Sequence, residues 1–170
     1  MSVLLVLGGA RSGKSRYAQA RTEALPGRLA FIATAQAFDA EMEDRIARHR
    51  ADRGPRWETL EAPVDLPDAL AQAARSADAV LVDCLTLWMS NLILGDCDVA
   101  AMTGHLREAL IACPVPVALV ANEVGLGIVP DNALARRFRD EAGRLNQDMA
   151  TIADEAVFVA AGLPLVLKSP

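Results

Sequence analysis

The residues with the clearest chemical meaning form a glycine-rich segment near the amino terminus. Gly8 is followed at the Walker A spacing by Gly13, and Lys14 and Ser15 come directly after it. Glycines let the backbone wrap closely around phosphates, so that successive N–H groups and the positive end of a following helix meet negative oxygen. We expect Lys14 to face the β- and γ-phosphates and the Ser15 hydroxyl to be a magnesium ligand. The segment therefore predicts a nucleoside triphosphate site used for phosphoryl or nucleotidyl transfer.

Two further charged residues extend this predicted phosphate site. Arg11, inside the loop, either adds a cation or stays at a solvated tip. Asp83 ends the apolar run 79–82, where the carboxyl edge of a parallel strand faces the phosphate-binding crevice. We expect Asp83 to be a second magnesium ligand, in the role of a Walker B carboxylate. The alternative is that this aspartate begins the next turn or helix, as is common after a strand.

A candidate nucleophile, His49, lies in the densely charged segment 41–53. Met42, Ile46 and His49 fall at helical spacing on one face, so the histidine is expected to point inward. The segment also supplies arginines that would meet a triphosphate: Arg45, Arg48, Arg50 and Arg53. An imidazole among guanidinium groups stays neutral near pH 7, because like charges disfavour its protonated form, and a neutral imidazole is nucleophilic. The alternative is a partly buried helix histidine amid a solvated charge run.

Asn122 and Glu123 follow another apolar run, 115–121, so their side chains are also expected at the carboxyl edge of the sheet. Glu123 is a candidate base for phosphoryl transfer, or a group close to the magnesium. Equally, this block shapes a substrate loop through its glycines and Pro130. Both interpretations remain open at this point.

The elements that must position these residues follow from the apolar pattern of the chain. Continuous apolar runs typical of strands buried on both faces occur at 3–7, 29–33, 79–82 and 115–121. Residues 56–61 predict a short strand or an extended loop. Residues 157–160 and 165–168, joined by 162–164, predict a closing hairpin.

Charged segments of helical period separate the strands. One helix is predicted to begin near Lys14 and another to occupy 132–150. The second has an apolar stripe expected to pack: Leu134, Phe138, Leu145 and Met149. This alternation predicts an α/β fold of the P-loop NTPase-like, RecA-like type. Its mainly parallel sheet is flanked by helices and ends in an antiparallel hairpin.

Composition restricts the classes of function. The chain has 170 residues, of which 52% are hydrophobic, and we expect a single domain over 1–170. A net charge of −5 gives no general attraction for nucleic acid or an anionic membrane, which favours small-molecule chemistry. No apolar run approaches the ~20 residues of a spanning helix, so a cytoplasmic protein without membrane insertion is expected. Cys84, Cys97 and Cys113 form no C-x-x-C pair and fit reduced thiols in ordinary packing.

Five blocks of the sequence together resemble a known family. In chain order they are GGARSGKS, RIARHRADR followed by WETLEAP, VDCLTLWMSNLI, ANEVGLGIVP and RRFRDEAGRLNQDMA. They resemble the bifunctional adenosylcobinamide kinase and adenosylcobinamide-phosphate guanylyltransferase of cobalamin biosynthesis. The Walker A block alone is unspecific, but its combination with the histidine segment and the NEVG…GIVP block is specific. The resemblance extends over nearly the whole chain.

The resemblance implies two reactions on one scaffold. In the first, ATP or GTP phosphorylates the aminopropanol hydroxyl of adenosylcobinamide. In the second, a histidine corresponding to His49 attacks the α-phosphorus of GTP and expels pyrophosphate. It then carries GMP as a phosphoramidate to adenosylcobinamide phosphate, which gives adenosylcobinamide-GDP. The family also implies a homo-oligomer, a trimer.

The resemblance, together with the phosphate-binding motif, assigns the remaining site residues. Nucleotide contacts are expected at Gly8, Gly9, Ala10, Arg11, Ser12, Gly13, Lys14, Ser15, Ala33, Thr34, Ala35, Arg50, Ala51, Asp52, Arg53, Glu61 and Asp83. The expected cofactor is Mg²⁺, held by Ser15 and Asp83. Two other functions stay open: a P-loop small-molecule kinase in which His49 only binds phosphate, and a nucleotide-dependent regulatory module with a protein partner.

Overall fold

The computed structural model describes residues 2–36 and 54–170 of the chain. The predicted histidine helix at 41–53 lies outside the described residues. So do the site residues assigned to it: His49, Arg45, Arg48, Arg50, Ala51, Asp52 and Arg53. Their roles therefore stay predictions.

The predicted strands form one seven-stranded sheet within the described residues. They are β1 (Val3–Gly8), β2 (Leu29–Ala33), β3 (Trp57–Glu61), β4 (Ala79–Asp83), β5 (Val117–Asn122), β6 (Glu155–Ala160) and β7 (Leu163–Lys168). Their order across the sheet is β3-β2-β4-β5-β1-β6-β7, and every neighbouring pair is parallel except β6 with β7. β2, β4 and β5 are buried along almost their whole length, which explains their continuous apolar sequence. The predicted fold class is confirmed.

The helices connect these strands on both faces of the sheet. They are α1 (Lys14–Glu23), α2 (Leu66–Ala73), α3 (Leu85–Leu94), α4 (Val99–Ala112) and α5 (Ala133–Ile152). The chain moves across the sheet in one direction from β1 to β2, and in the other from β3 to β6. Because such crossovers are right-handed, opposite directions place helices on opposite faces. No helix of the described ranges has the length and apolar character needed to cross a membrane.

Two hydrophobic layers result from this arrangement. On one face Ala18 of α1 packs with Val6 and Val120 of the sheet. On the other face α2 to α5 bury a larger core, in which Trp88 is fully buried and donates its indole N–H to the Val64 carbonyl at 2.7 Å. The two layers leave the carboxyl edge of the parallel strands open between them.

Several details differ from the sequence predictions, among them the start of β6, which lies at Glu155 rather than at 157. β5 begins at Val117 rather than at 115, because Pro116 has no N–H to donate to a ladder. The hairpin turns at Ala161 and Gly162, with φ of 51° and 78°, as a two-residue turn requires, so 163–164 belong to β7. Leu134, expected in the packing stripe of α5, is exposed. The segment predicted as strand or loop at 56–61 is the parallel edge strand β3.

Candidate active site

The glycine-rich segment lies between β1 and α1, as predicted. Gly8 ends the strand, and a Cβ at that position would lie 2.5 Å from Ser12 Oγ and 2.6 Å from the Val159 carbonyl oxygen. Gly13 adopts φ 93°, in the left-handed region, directly before the helix begins at Lys14. Both positions therefore require glycine for reasons of space or backbone conformation.

Neighbouring groups fix the orientation of the loop peptides. The carbonyl of Gly8 accepts from the Glu123 N–H at 3.1 Å, and the carbonyl of Ser12 accepts from the Gly162 N–H at 2.7 Å. The carbonyl of Gly9 accepts from the Ser12 N–H at 3.3 Å. In a trans peptide the N–H points in the opposite direction to the carbonyl. The N–H group that shares a peptide with each of these three carbonyls therefore points away from the donor that binds the carbonyl. The geometry is that of a backbone cradle for phosphate oxygens.

Lys14 and Ser15 begin α1 at the mouth of this cradle. The Lys14 side chain is buried, and its Nζ donates to the Gly9 carbonyl at 3.2 Å, while its backbone N–H donates to Ser12 Oγ at 3.4 Å. Ser15 is exposed in the first helical turn, and Arg11 is exposed on the loop with φ 55°. The ammonium is thus held against the loop backbone, at the positive end of a helix.

Asp83 is the last residue of β4, at the carboxyl edge of the sheet. Its strand neighbours in register are Ala33 of β2 and Val120 of β5. The residue that caps α3 is Cys84, whose sulfur accepts from the Leu87 N–H at 3.4 Å. Asp83 therefore ends the strand and Cys84 caps the helix, while the role of Asp83 as a magnesium ligand stays a prediction.

The charges at this edge of the sheet affect the pKa of the Cys84 thiol. Burial, the largest cause, and the Asp83 carboxylate both raise the pKa of Cys84, whereas the Lys14 ammonium acts in the opposite direction. Two of the predicted site charges, from β4 and α1, thus act on one buried group. The three cysteines are free thiols, as predicted.

Glu61, Ala33 and Asp83 are brought together by strand register. Ala33 is paired with Glu61 on one side and with Asp83 on the other, so three predicted contacts share one edge. Thr34, the next residue, is buried; its hydroxyl donates to the Cys84 carbonyl at 2.7 Å and accepts from the Cys84 N–H at 2.9 Å. These bonds position the end of β4, and the predicted nucleotide contact of Thr34 stays a prediction.

Three buried polar residues that support the site were missed from the sequence. Asn91 of α3 donates to the carbonyls of Thr34 at 2.8 Å and Pro63 at 2.9 Å. The Thr86 hydroxyl accepts from the Asn122 N–H at 2.7 Å, and Asn146 donates to the Asn122 carbonyl at 3.3 Å. A polar amide inside the apolar helix LTLWMSNLIL was the available signal, because a buried amide needs partners.

Glu123 follows β5 and shapes its own loop. Its carboxylate accepts from the Gly125 N–H at 2.7 Å, and its backbone N–H holds the Gly8 carbonyl. These contacts fit the loop-shaping interpretation, and the role of Glu123 as a base or a group close to the magnesium stays a prediction. The loop from 123 to 131 thus begins at the phosphate cradle, where Glu123 is bonded to Gly8.

The strand order, the cradle between β1 and α1 and the carboxylate after β4 define a P-loop NTPase-like protein. Two solved structures share the fold. The flagellar accessory protein FlaH from Methanocaldococcus jannaschii matches with a TM-score of 0.54 at 12% identity, over 99% of this chain and 78% of its own. A KaiC-like protein from Pyrococcus horikoshii matches with a TM-score of 0.53 at 13% identity, over 92% and 71%. At such identities the likeness shows the fold alone.

Sequence comparison identifies the family within this class. Residues 4–167 match the family described as cobinamide kinase / cobinamide phosphate guanyltransferase. The bifunctional adenosylcobalamin biosynthesis protein CobP of Pseudomonas aeruginosa is 49% identical over 96% of both chains. The bifunctional protein CobU of Salmonella typhimurium is 41% identical, over 98% of this chain and 99% of its own. The chain belongs to this family, and the predicted kinase and guanylyltransferase class of enzyme is confirmed.

Proposed function

We propose that this single-domain protein phosphorylates adenosylcobinamide with ATP or GTP and then transfers GMP from GTP to the product through a GMP–His49 intermediate. The observation that carries the proposal is the phosphate cradle, in which three peptides and the Lys14 ammonium are held in fixed orientations. Membership of the family supplies the acceptor class. The histidine intermediate rests on sequence: His49 is flanked by arginines in a segment that the family resemblance covers.

In the kinase step, the cradle N–H groups and Lys14 would hold the β- and γ-phosphates while the acceptor hydroxyl attacks the γ-phosphorus. Ser15 and Asp83 offer a hydroxyl and a carboxylate, the hard oxygen ligands that magnesium takes together with phosphate oxygens and water. When bound, the ion would neutralise charge developing on the phosphates. The donor set therefore fits Mg²⁺.

In the guanylyl step, a neutral His49 would attack the α-phosphorus of GTP. The N–P bond forms as the bond from the α-phosphorus to the pyrophosphate oxygen breaks, and Lys14 would offset the charge on the leaving pyrophosphate. A phosphate oxygen of adenosylcobinamide phosphate then displaces the imidazole, which gives adenosylcobinamide-GDP. Arg45 or Arg53 would offset charge on the α-phosphate. Covalent catalysis divides one displacement between two bulky phosphates into two attacks involving a small nitrogen.

The test is labelling with GTP that carries radioactive phosphorus at the α-position. The native protein is expected to retain acid-labile, base-stable label, and His49→Asn is expected to retain none while still phosphorylating adenosylcobinamide. His105→Asn is the matched control, because the other histidine of the chain is exposed on α4. Product without protein label would instead support a kinase without histidine chemistry. The absence of both protein label and product would support a regulatory module.

We also propose a cytoplasmic homo-oligomer, a trimer as the family resemblance implies. Free thiols support the location. The edge strand β7 supports self-association, because it is exposed along its whole length and carries four exposed apolar side chains: Leu163, Leu165, Val166 and Leu167. Light scattering of the purified protein tests the state, and a monomer at micromolar concentration would contradict it.

A further inference from the structure

The loop after β5 begins beside the phosphate cradle, at Glu123, and carries several exposed apolar side chains. Leu126, Ile128 and Val129 are 83%, 98% and 63% exposed, and Leu134, on the first turn of α5, is 52% exposed. We call these four residues the apolar tip. Single exposed leucines are common on protein surfaces, but several in one short segment mark a binding surface.

Hydrogen bonds hold both ends of the loop that carries the apolar tip. The loop leaves β5 at Asn122, which is paired in register with Gly8, and the next N–H, of Glu123, donates to the Gly8 carbonyl. At its other end Arg136 donates to the carbonyls of Pro130 and Asp131 at 2.9 and 2.8 Å. Both ends of the loop are therefore anchored to the fold, while the side chains between them face solvent.

The chemistry of the tip suits an apolar ligand better than a phosphate. Residues 124–130 carry no charged side chain, whereas the cradle collects Lys14 and backbone N–H groups. Gly127 has no atom within 4 Å of where a Cβ would lie, which leaves open space next to Ile128. Carboxylates flank the segment at Glu123 and Asp131, and they complement a ligand with positive charge.

We propose that the apolar tip docks the macrocycle of the corrinoid substrate. This inference rests on the proposed function, because it concerns the acceptor of that reaction. The acceptor hydroxyl must reach the γ-phosphate in the cradle, so the bulky ring at the other end of its short arm has to lie across the neighbouring loops. The ring offers broad apolar faces, and adenosylcobinamide is a monocation. Both properties match the tip and its flanking carboxylates.

The experiment compares Ile128→Ser and Leu126→Ser with Ile111→Ser. Ile111 is a matched control, since it is 54% exposed near the end of α4, which leads to the opposite edge of the sheet. We expect each tip variant to raise KM for adenosylcobinamide, and its Kd measured by ultrafiltration and visible absorbance, by about tenfold. KM for ATP should stay within about twofold of the native value, and Ile128→Leu should restore corrinoid affinity. Because the substituted positions are exposed, the variants should fold like the native protein, and melting curves check this.

Other outcomes would overturn the assignment. Unchanged corrinoid affinity in both tip variants would show that the ring docks elsewhere, while the kinase function itself would stand. A tip variant that changes the oligomeric state by light scattering would make the tip a contact between copies of the chain. Equal losses in Ile111→Ser would show a non-specific effect. If the native protein neither binds nor phosphorylates adenosylcobinamide, the proposed function fails first, and the docking surface with it.

Discussion

The phosphate cradle and the loop carrying the apolar tip leave adjacent strands at the same edge, yet they are held in different ways. In the cradle, carbonyls are fixed by Glu123 and Gly162 from neighbouring segments, and a Cβ at Gly8 has no room. In the β5 loop, bonds occur near the ends, and the middle has exposed side chains and open space around Gly127. The fold thus fixes the backbone groups of the cradle and leaves the apolar side chains of the β5 loop accessible.

The largest expected effect comes from removing the cation of the cradle. We predict that Lys14→Ala lowers the rate of adenosylcobinamide phosphorylation by at least about 100-fold, because the ammonium faces charge that develops in the transition state. The side-chain bond to Gly9 is worth only ~1 kcal/mol, so the melting temperature should change little. Steady-state kinetics distinguishes this effect on turnover from the effect on corrinoid KM expected at the tip. A variant with near-native turnover would show that the cradle is not the phosphate site.

The next prediction tests the tight packing of the cradle with two adjacent glycines. Gly8→Ala places its Cβ against Ser12 Oγ and a backbone carbonyl, and should lower the free energy of unfolding by about 1–3 kcal/mol. Gly9→Ala meets no atom within 4 Å and should leave stability close to native. Because Gly9 is a predicted phosphate contact, its variant should still weaken nucleotide binding. Denaturant unfolding and ATP titration separate the two effects, and equal loss of stability in both variants would contradict the packing argument.

A smaller effect is expected where the hairpin supports the cradle. Gly162 donates to the Ser12 carbonyl and adopts φ 78°, so Gly162→Ala should cost ~1 kcal/mol and raise KM for ATP a few-fold. Gly127→Ala, on the β5 loop, has open space around it and should change neither. If KM for ATP is unchanged in Gly162→Ala although stability falls, the hairpin does not position the cradle.

Local pattern was sufficient to predict much of this structure. The continuous apolar runs predicted β1, β2, β4 and β5, because a strand buried on both faces has apolar side chains throughout and does not alternate apolar with polar residues. β3 was ambiguous, since it is a partly exposed edge strand with mixed residues from Trp57 to Glu61. The positions of the glycine-rich loop between β1 and α1 and of Asp83 at the end of β4 were predictable because both depend on local signals.

Contacts between distant parts of the chain were not predictable in this way. The bond from Gly162 to Ser12 joins positions far apart in sequence, and nothing near either residue indicates it. The buried amide of Asn91 signals a need for partners, but nothing near it in sequence indicates that those partners are the carbonyls of Thr34 and Pro63. Strand order decides which loop ends meet, and a short-range pattern contains no information about order.

The smallest expected effect concerns the attachment of α1, the helix that continues the cradle. Arg21 donates to both carboxylate oxygens of Glu155 at 2.8 and 2.6 Å, which joins α1 to β6. These hydrogen bonds hold the pKa of Glu155 below its usual value. A carboxyl with a lowered folded-state pKa stabilises the fold above its unfolded pKa of about 4.3, and that stabilisation is lost as pH falls through the folded value.

At pH 7 we predict that Arg21→Gln lowers the free energy of unfolding by about 0.2–1 kcal/mol, since the pair is partly exposed and screened by water. The matched control is Arg144→Gln, which breaks a pair with Glu141 inside α5 and joins no two elements. Thermal melts of both variants and the native protein from pH 7 to pH 3 measure the difference. The native advantage over Arg21→Gln should shrink below about pH 5 and at high salt, because protonated Glu155 no longer attracts the guanidinium. A difference that stays constant in acid would mean that Arg21 contributes packing along α1, and the cradle's helix would then be held by apolar contacts such as those of Ala18.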